Sequence, residues 1–155
     1  MTINIYSREE IEKLIEKDFP ENTAVISFSD SVGPYSQMPV DYKGKPRKLF
    51  QIEVKDIDFD EFEEYGLTID TYFAEAEELA KFIYDAYNDG LNIICQCEYG
   101  QSRSAGCAAA ILEYFEKNGI SIFSDYRYYP SKLIYNKIYE ALEVEGEQKV
   151  KYATD

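Results

Sequence analysis

A chain of 155 residues with 45% hydrophobic content can bury one core of helices on a sheet, and it reads as a single domain over residues 1–155. Sixteen Lys and Arg against thirty Asp and Glu leave a net charge of −14, a field that repels nucleic acid and anionic lipid headgroups, so neither is an expected partner. Histidine is absent, which removes Cys-His and Ser-His catalysis, His-ligated zinc and the histidine-based metalloprotease motifs together.

Thr2 to Tyr6 alternates and is β-prone, so it predicts a strand. Ser7-Arg8-Glu9-Glu10 is a capping box, opening a helix with Ile11, Leu14 and Ile15 on one face. Thr23 to Phe28 predicts a second strand. Asp30 to Lys48, with Gly33-Pro34, Pro39, Gly44 and Pro46, predicts a long loop. Leu49 to Val54 is a third strand, and Lys55 to Thr68 is acidic and irregular, its run Glu61 to Glu64 a solvated face. Asp70 to Asn88 carries Phe73, Ala76, Leu79, Ala80, Ile83 and Ala86 at helical spacing and ends at Asp89-Gly90. Leu91 to Gln96 is too short for a helix and reads as a buried strand. Arg103 to Asn118 is small and apolar on one face and is closed by Gly119; Ser131 to Val144 is a last helix after Pro130. The order β-α-β-β-α-β-loop-α-α predicts an α/β fold, a mostly parallel central sheet with helices on both faces. No apolar stretch reaches the roughly 18–20 residues of a membrane span. The first residues lack the basic and apolar regions of a secretory signal, so a cytoplasmic protein is expected.

Ligands of such folds collect at the carboxyl ends of strands, and there the chain places Cys97-Glu98-Tyr99-Gly100-Gln101-Ser102-Arg103, followed by Ser104. A helix N-terminus offers unpaired N–H groups and the positive end of the helix dipole. Gly100 lets the loop curl into a nest, and Arg103 supplies a planar fork for two phosphate oxygens. Cys97 lies under the same dipole beside the arginine, and both favour a thiolate nucleophile. A cysteine and an arginine with five residues between them recur by chance. The strand before, the Gly-x-Ser-Arg-Ser pattern and the small-residue helix after make the signal specific.

The segment Cys-Glu-Tyr-Gly-Gln-Ser-Arg-Ser resembles the signature loop of cysteine-dependent protein tyrosine phosphatases, nearest to the dual-specificity branch and to small bacterial tyrosine-phosphatase-like proteins. Tyr72-Phe73 through Phe82-Ile83 is similar to the helix before the signature strand, and Tyr129-Pro130-Ser131 through Ile138 to the closing helix. The similarity spans roughly residues 47 to 142. It implies a two-step phosphomonoester hydrolysis without metal or other cofactor, acting on a phosphorylated protein or small phosphomonoester through a cysteinyl-phosphate. Carried onto this chain, Cys97 is the nucleophile. Arg103 and the N–H groups of Glu98, Tyr99, Gly100, Gln101, Ser102 and Arg103 bind phosphate. Ser104 supports the sulfur as leaving group. The general acid must be an aspartate: Asp56 fits the similar bacterial proteins best, with Asp58 and Asp60 as alternatives.

Three features stand apart from that pattern. Gln96 occupies the position where the family carries histidine, which motivates the alternative of a phosphate- or phosphopeptide-binding module with little catalysis. Ser131 stands where an asparagine is expected, and the chain has no Trp-Pro-Asp loop. Arsenate reduction and rhodanese-type sulfur transfer also use a cysteine and arginine at this spacing; the loop's position and its Gly100 and Ser102-Arg103-Ser104 favour a phosphatase. Phosphotyrosine, phosphoserine or phosphothreonine, phosphoinositide and RNA phosphate substrates all stay open, the last two disfavoured by charge. Tyr126, Tyr128 and Tyr129 cluster with Arg127 as either a wall for an aromatic phosphoester or an ordinary surface. Cys95 and Cys107 read as buried apolar thiols, either of which is a partner for a regulatory disulfide with Cys97. Cys95 and Cys97 alone make a poor metal site.

Overall fold

The computed structural model describes residues 1–30 and 38–154. Four strands, β1 (Ile3–Tyr6), β2 (Thr23–Ser29), β3 (Lys48–Glu53) and β4 (Asn92–Gln96), form a sheet in the order β1-β4-β2-β3. All three pairings are parallel, with Ser27 of β2 beside Gln96 on one side and Gln51 on the other. A parallel strand in the middle of a sheet must be covered on both faces, and all seven residues of β2 are buried. Alternation sorts its side chains. Ala24, Ile26 and Phe28 join Ile93 and Cys95 in the larger core, against helices α2 (Ala76–Asn88), α3 (Arg103–Glu116) and α5 (Lys132–Thr154). Val25 and Ile94 face the other way and pack with Ile11 and Ile15 of α1 (Arg8–Glu16) and with Val40 and Tyr42. Each fully buried Ile or Phe contributes roughly 1.5–3 kcal/mol by leaving water. The expected parallel sheet with helices on both faces is thus what forms.

The capping box predicted at Ser7 is present: Ser7 Oγ accepts from the Glu10 N–H at 3.1 Å and Glu10 Oε1 accepts from the Ser7 N–H at 3.1 Å. The end of α2 at Asn88 and the start of α3 at Arg103 also fall where expected, whereas three other helix ends depart from the expectation. Helix α2 starts at Ala76 rather than Asp70. Before it, Thr68 and Thr71 exchange side-chain hydrogen bonds, and Phe73 sits at φ +55°. Phe73 is apolar at helical spacing because it packs edge-on to Phe28, not because its backbone is helical. Helix α3 ends at Lys117, left-handed at φ 56°, and Gly119 instead precedes an unanticipated short helix, α4 (Ile120–Phe123). Gly119 is needed for closeness: a Cβ there would lie 2.9 Å from the Ala109 carbonyl oxygen. Helix α5 runs on past Val144 to Thr154. Of the predicted long loop, residues 31–37 lie outside the described residues; the part from Met38 to Arg47 carries no helix or strand. Within Lys55 to Thr68 only one 3₁₀ turn forms, at Phe59–Glu61. Among the described residues, no helix is long and apolar enough to cross a membrane.

Helix α3 is the centre of the packing, every residue from Arg103 to Ile111 being buried. Its small side chains allow Ser131, just before α5, to come so near that a Cβ on Gly106 would lie 2.6 Å from the Ser131 carbonyl oxygen. Gly106→Ala should therefore destabilise the protein by roughly 1–3 kcal/mol through overpacking, although alanine gains about 1 kcal/mol in helix propensity. Chemical denaturation of both proteins measures it; an unchanged or raised midpoint would show that α5 yields freely.

Candidate active site

Strands β2, β3 and β4 end on the same edge of the sheet, and the chain leaving them supplies Asp30, Asp56 and Cys97. From β4 the loop at residues 97–102 climbs directly into α3, so Cys97 lies beneath that helix's N-terminus. Gly100 allows the turn. It has φ +68°, and a Cβ would meet Ser7 N at 2.7 Å, so the loop presses on the β1–α1 junction where no side chain fits.

Four of the loop's carbonyls are tied from outside it. The Cys97 oxygen accepts from Gln96 Nε2 at 3.0 Å, Glu98 from the Arg8 N–H at 3.0 Å, Gln101 from the Tyr129 N–H at 2.8 Å, and Ser102 from the Ser131 N–H at 3.0 Å. In a trans peptide the C=O and the following N–H point in opposite directions. Fixing these carbonyls outward therefore turns the N–H groups of Glu98, Tyr99, Ser102 and Arg103 inward. None of the N–H groups of residues 98–102 donates to another described residue. Inward N–H groups on a loop that opens a helix make an anion nest.

Arg103, the first residue of α3, is 4% exposed. Its Nη1 donates to Asp30 Oδ1 at 2.7 Å and to the Val54 carbonyl at 3.1 Å. Its Nε is buried with no hydrogen-bond partner among the described residues. A buried, unpaired donor of a cation costs several kcal/mol less once an oxyanion faces it, so the guanidinium is held by one edge and open at another. Asp30 was not anticipated from the sequence; the available signal was its place immediately after β2, at the strand ends where ligands collect.

Cys97 is 3% exposed, its Sγ 3.0 Å from Ser104 Oγ. Asp56 is brought to the loop: Ser102 Oγ donates to Asp56 Oδ1 at 2.7 Å. Tyr72 donates its hydroxyl to the Lys55 carbonyl at 2.7 Å and so anchors the segment that carries Asp56. Of the two alternatives, Asp58 lines the same cavity as Asp56 and Ser102. Asp58 precedes the 3₁₀ turn and takes part in its capping box, and Asp60 is exposed. Asp58, Asp60 and Glu61 do bring carboxylate oxygens within 4.8 Å of one another, the one arrangement of metal-ligand type among the described residues.

Beside the loop, a cavity of about 520 Å³ is bounded by Asp56, Asp58, Ser102, Tyr129, Pro130 and Lys132. Of the tyrosine cluster, Tyr129 lines this cavity and Tyr126 is 89% exposed. Arg127 is turned to Asp125 by paired hydrogen bonds and to the ring of Tyr128. Ser131, in the expected asparagine position, accepts from the Ile134 N–H and so caps α5. All three cysteines are free; the near pair is Cys95 and Cys107, with sulfurs 3.6 Å apart, and burial pushes the Cys107 thiol well above its ordinary range.

Gln96, the departure noted in the sequence, is buried among polar partners. Its Oε1 accepts from the hydroxyl of Ser27 and from that of Tyr42 at 2.7 Å. Burial pushes the phenols of Tyr42 and Tyr72 well above the usual tyrosine range, for Tyr72 with the nearby Asp56 charge adding to it. A raised folded-state pKa gives stability that is fully present below the unfolded value of about 10 and is lost as pH rises beyond it. Melting temperature should therefore hold steady from about pH 7 to 9 and fall above about pH 10. The fall should be shallower in Tyr42→Phe. An equal slope in the variant would mean Tyr42 ionises freely in the folded state.

No protein-family model matches the chain, and no curated protein matches it. Solved structures do. PTPMT1 superposes with a TM-score of 0.55 at 16% identity, over 97% of this chain and 95% of that one. Human DUSP28 gives 0.53 at 15% identity, over 94% of each chain. Tk-PTP in its active form gives 0.55 at 14% identity, over 92% of each. At such identities the likeness establishes the fold, which is that of the cysteine phosphatases.

Proposed function

We propose that the chain is a phosphomonoester hydrolase acting on protein phosphotyrosine, with or without phosphoserine and phosphothreonine, through a cysteinyl-phosphate. The observation that carries this reading is the anion nest facing a buried cysteine: outward-tied carbonyls, inward N–H groups and an unpaired Arg103 Nε around Cys97. The fold shared with cysteine phosphatases supports it.

In the first step the Cys97 thiolate attacks phosphorus, forming the S–P bond as the bond from phosphorus to the leaving oxygen breaks. Protonated Asp56 delivers its proton to that oxygen, as general acid. Charge on the transferring phosphoryl oxygens is met by the nest and by Arg103, which cost no reorganisation at the moment of reaction. In the second step water attacks phosphorus, Asp56 now accepts the water's proton, and the S–P bond breaks to release phosphate. Ser104, 3.0 Å from the sulfur, donates its hydroxyl to the departing thiolate. Ser102 holds Asp56 beside the loop through both steps. Asp30 and Val54 hold Nη1 of Arg103, leaving Nε for a phosphate oxygen.

Cys97→Ser should abolish turnover of an aryl phosphate while leaving phosphopeptide binding, measured by calorimetry. Turnover retained in that variant would remove the covalent mechanism. Binding by the unaltered protein with no release of aryl alcohol would favour the binding-module alternative. Asp56→Asn should slow hydrolysis of a phosphotyrosine peptide by about 10²–10⁴-fold, the usual worth of a general acid. An aryl phosphate with a good leaving group should suffer much less. Equal losses on both substrates would transfer the role away from Asp56.

A further inference from the structure

Cys97 follows a glutamine whose amide is fixed at every atom. Gln96 is 1% exposed, and its partners Ser27 and Tyr42 are each 2% exposed. Ser27 is its register partner across the β2–β4 pairing, and Tyr42 reaches it from the segment before β3. The orientation of the amide is decided by chemistry. Turned over, it would set its carbonyl oxygen against the Cys97 carbonyl oxygen, about where Nε2 now donates at 3.0 Å. As it stands, Oε1 takes two hydroxyl protons and Nε2 faces the one acceptor.

We infer that Gln96, locked by Ser27 and Tyr42, is a positioning residue that holds the Cys97 carbonyl out of the phosphate nest. The inference rests on the phosphatase reading and adds the device that sets its nucleophile. The Cys97 N–H is directed to the Tyr6 carbonyl at 3.4 Å, so with Gln96 on its C=O both backbone groups of the residue are held. The peptide between Cys97 and Glu98 then has one orientation, with the Glu98 N–H turned toward a bound oxyanion. Gln96 does this without charge. The position is 1% exposed, with the buried Tyr42 against its amide, and an ionised side chain there would be costly. A neutral amide with three hydrogen bonds leaves none of its polar partners unsatisfied.

The test follows alkylation of Cys97 by iodoacetamide, located by peptide mass mapping, with inorganic phosphate as protecting ligand, beside kcat and KM on an aryl phosphate. Gln96→Met, which keeps the volume and removes donor and acceptor, should need about tenfold more phosphate for the same protection and show KM raised to match, the loss of about one well-placed hydrogen bond. Gln96→His retains a ring N–H for the Cys97 carbonyl and should restore protection to within about threefold of the unaltered protein. Should Gln96→Met not fold, Ser27→Ala combined with Tyr42→Phe frees the amide to turn without emptying the site; it too should raise the phosphate requirement, by about threefold or more. Protection undiminished in Gln96→Met, or in the double variant where that one does not fold, would overturn this inference alone. Failure of phosphate to protect the unaltered protein would overturn the phosphatase reading and this inference with it.

Discussion

The site depends on the direction of a few peptide planes. The four outward carbonyls of the loop are held by donors from three parts of the chain: β4 through Gln96, the start of α1 through Arg8, and the approach to α5 through Tyr129 and Ser131. The loop cannot be built correctly until those parts are packed, so the fold is the means by which N–H groups converge. The glycines share this purpose. Gly100 lets the loop lie on the β1–α1 junction, and Gly106 lets the residue that ties Ser102 come against α3. A helix terminus alone offers unpaired donors; anchored carbonyls make them point at one place.

The electrostatics are local in the same way. With a net charge of −14, the long-range field discourages polyanions. At the end of β4 that field is opposed by the N–H groups that open α3 and by the buried Arg103. The carboxylate of Asp30 on Nη1 tempers that cation and keeps it oriented. A phosphate dianion gains from hydrogen bonds at short range, where screening is weak, and the protein's overall charge then weighs mainly on larger anionic partners.

Much of this was legible in the sequence because it rests on period and local chemistry. The alternation in β1, the capping box at Ser7 and the strand-loop-helix setting of Cys97 to Arg103 are patterns within a few residues. Asp56 was readable as the candidate acid only through resemblance, and its hydrogen bond to Ser102 depends on β3 and β4 ending on the same edge. What stayed hidden was set by tertiary contact. Phe73 imitates a helical position because it packs on Phe28, and Gly119 imitates a helix terminator because it touches Ala109. Asp30, Ser27 and Tyr42 bear no motif, and they meet Arg103 and Gln96 only after the sheet forms. Glutamine where the resembling signature carries histidine was visible as a departure; its two hydroxyl partners, which make it a satisfied and oriented group, were not.

The central claim is that residues 98–103 and the free edge of Arg103 form an oxyanion cradle over Cys97. Phosphate titration of nitrogen-labelled protein, followed by amide and guanidinium N–H resonances, tests it most directly. The account predicts saturable downfield shifts at the Glu98, Tyr99, Ser102 and Arg103 amides and at Arg103 Nε–H, with the rest of the spectrum little changed. Phosphate that binds while those five resonances stay in place, or that shifts none, would contradict it.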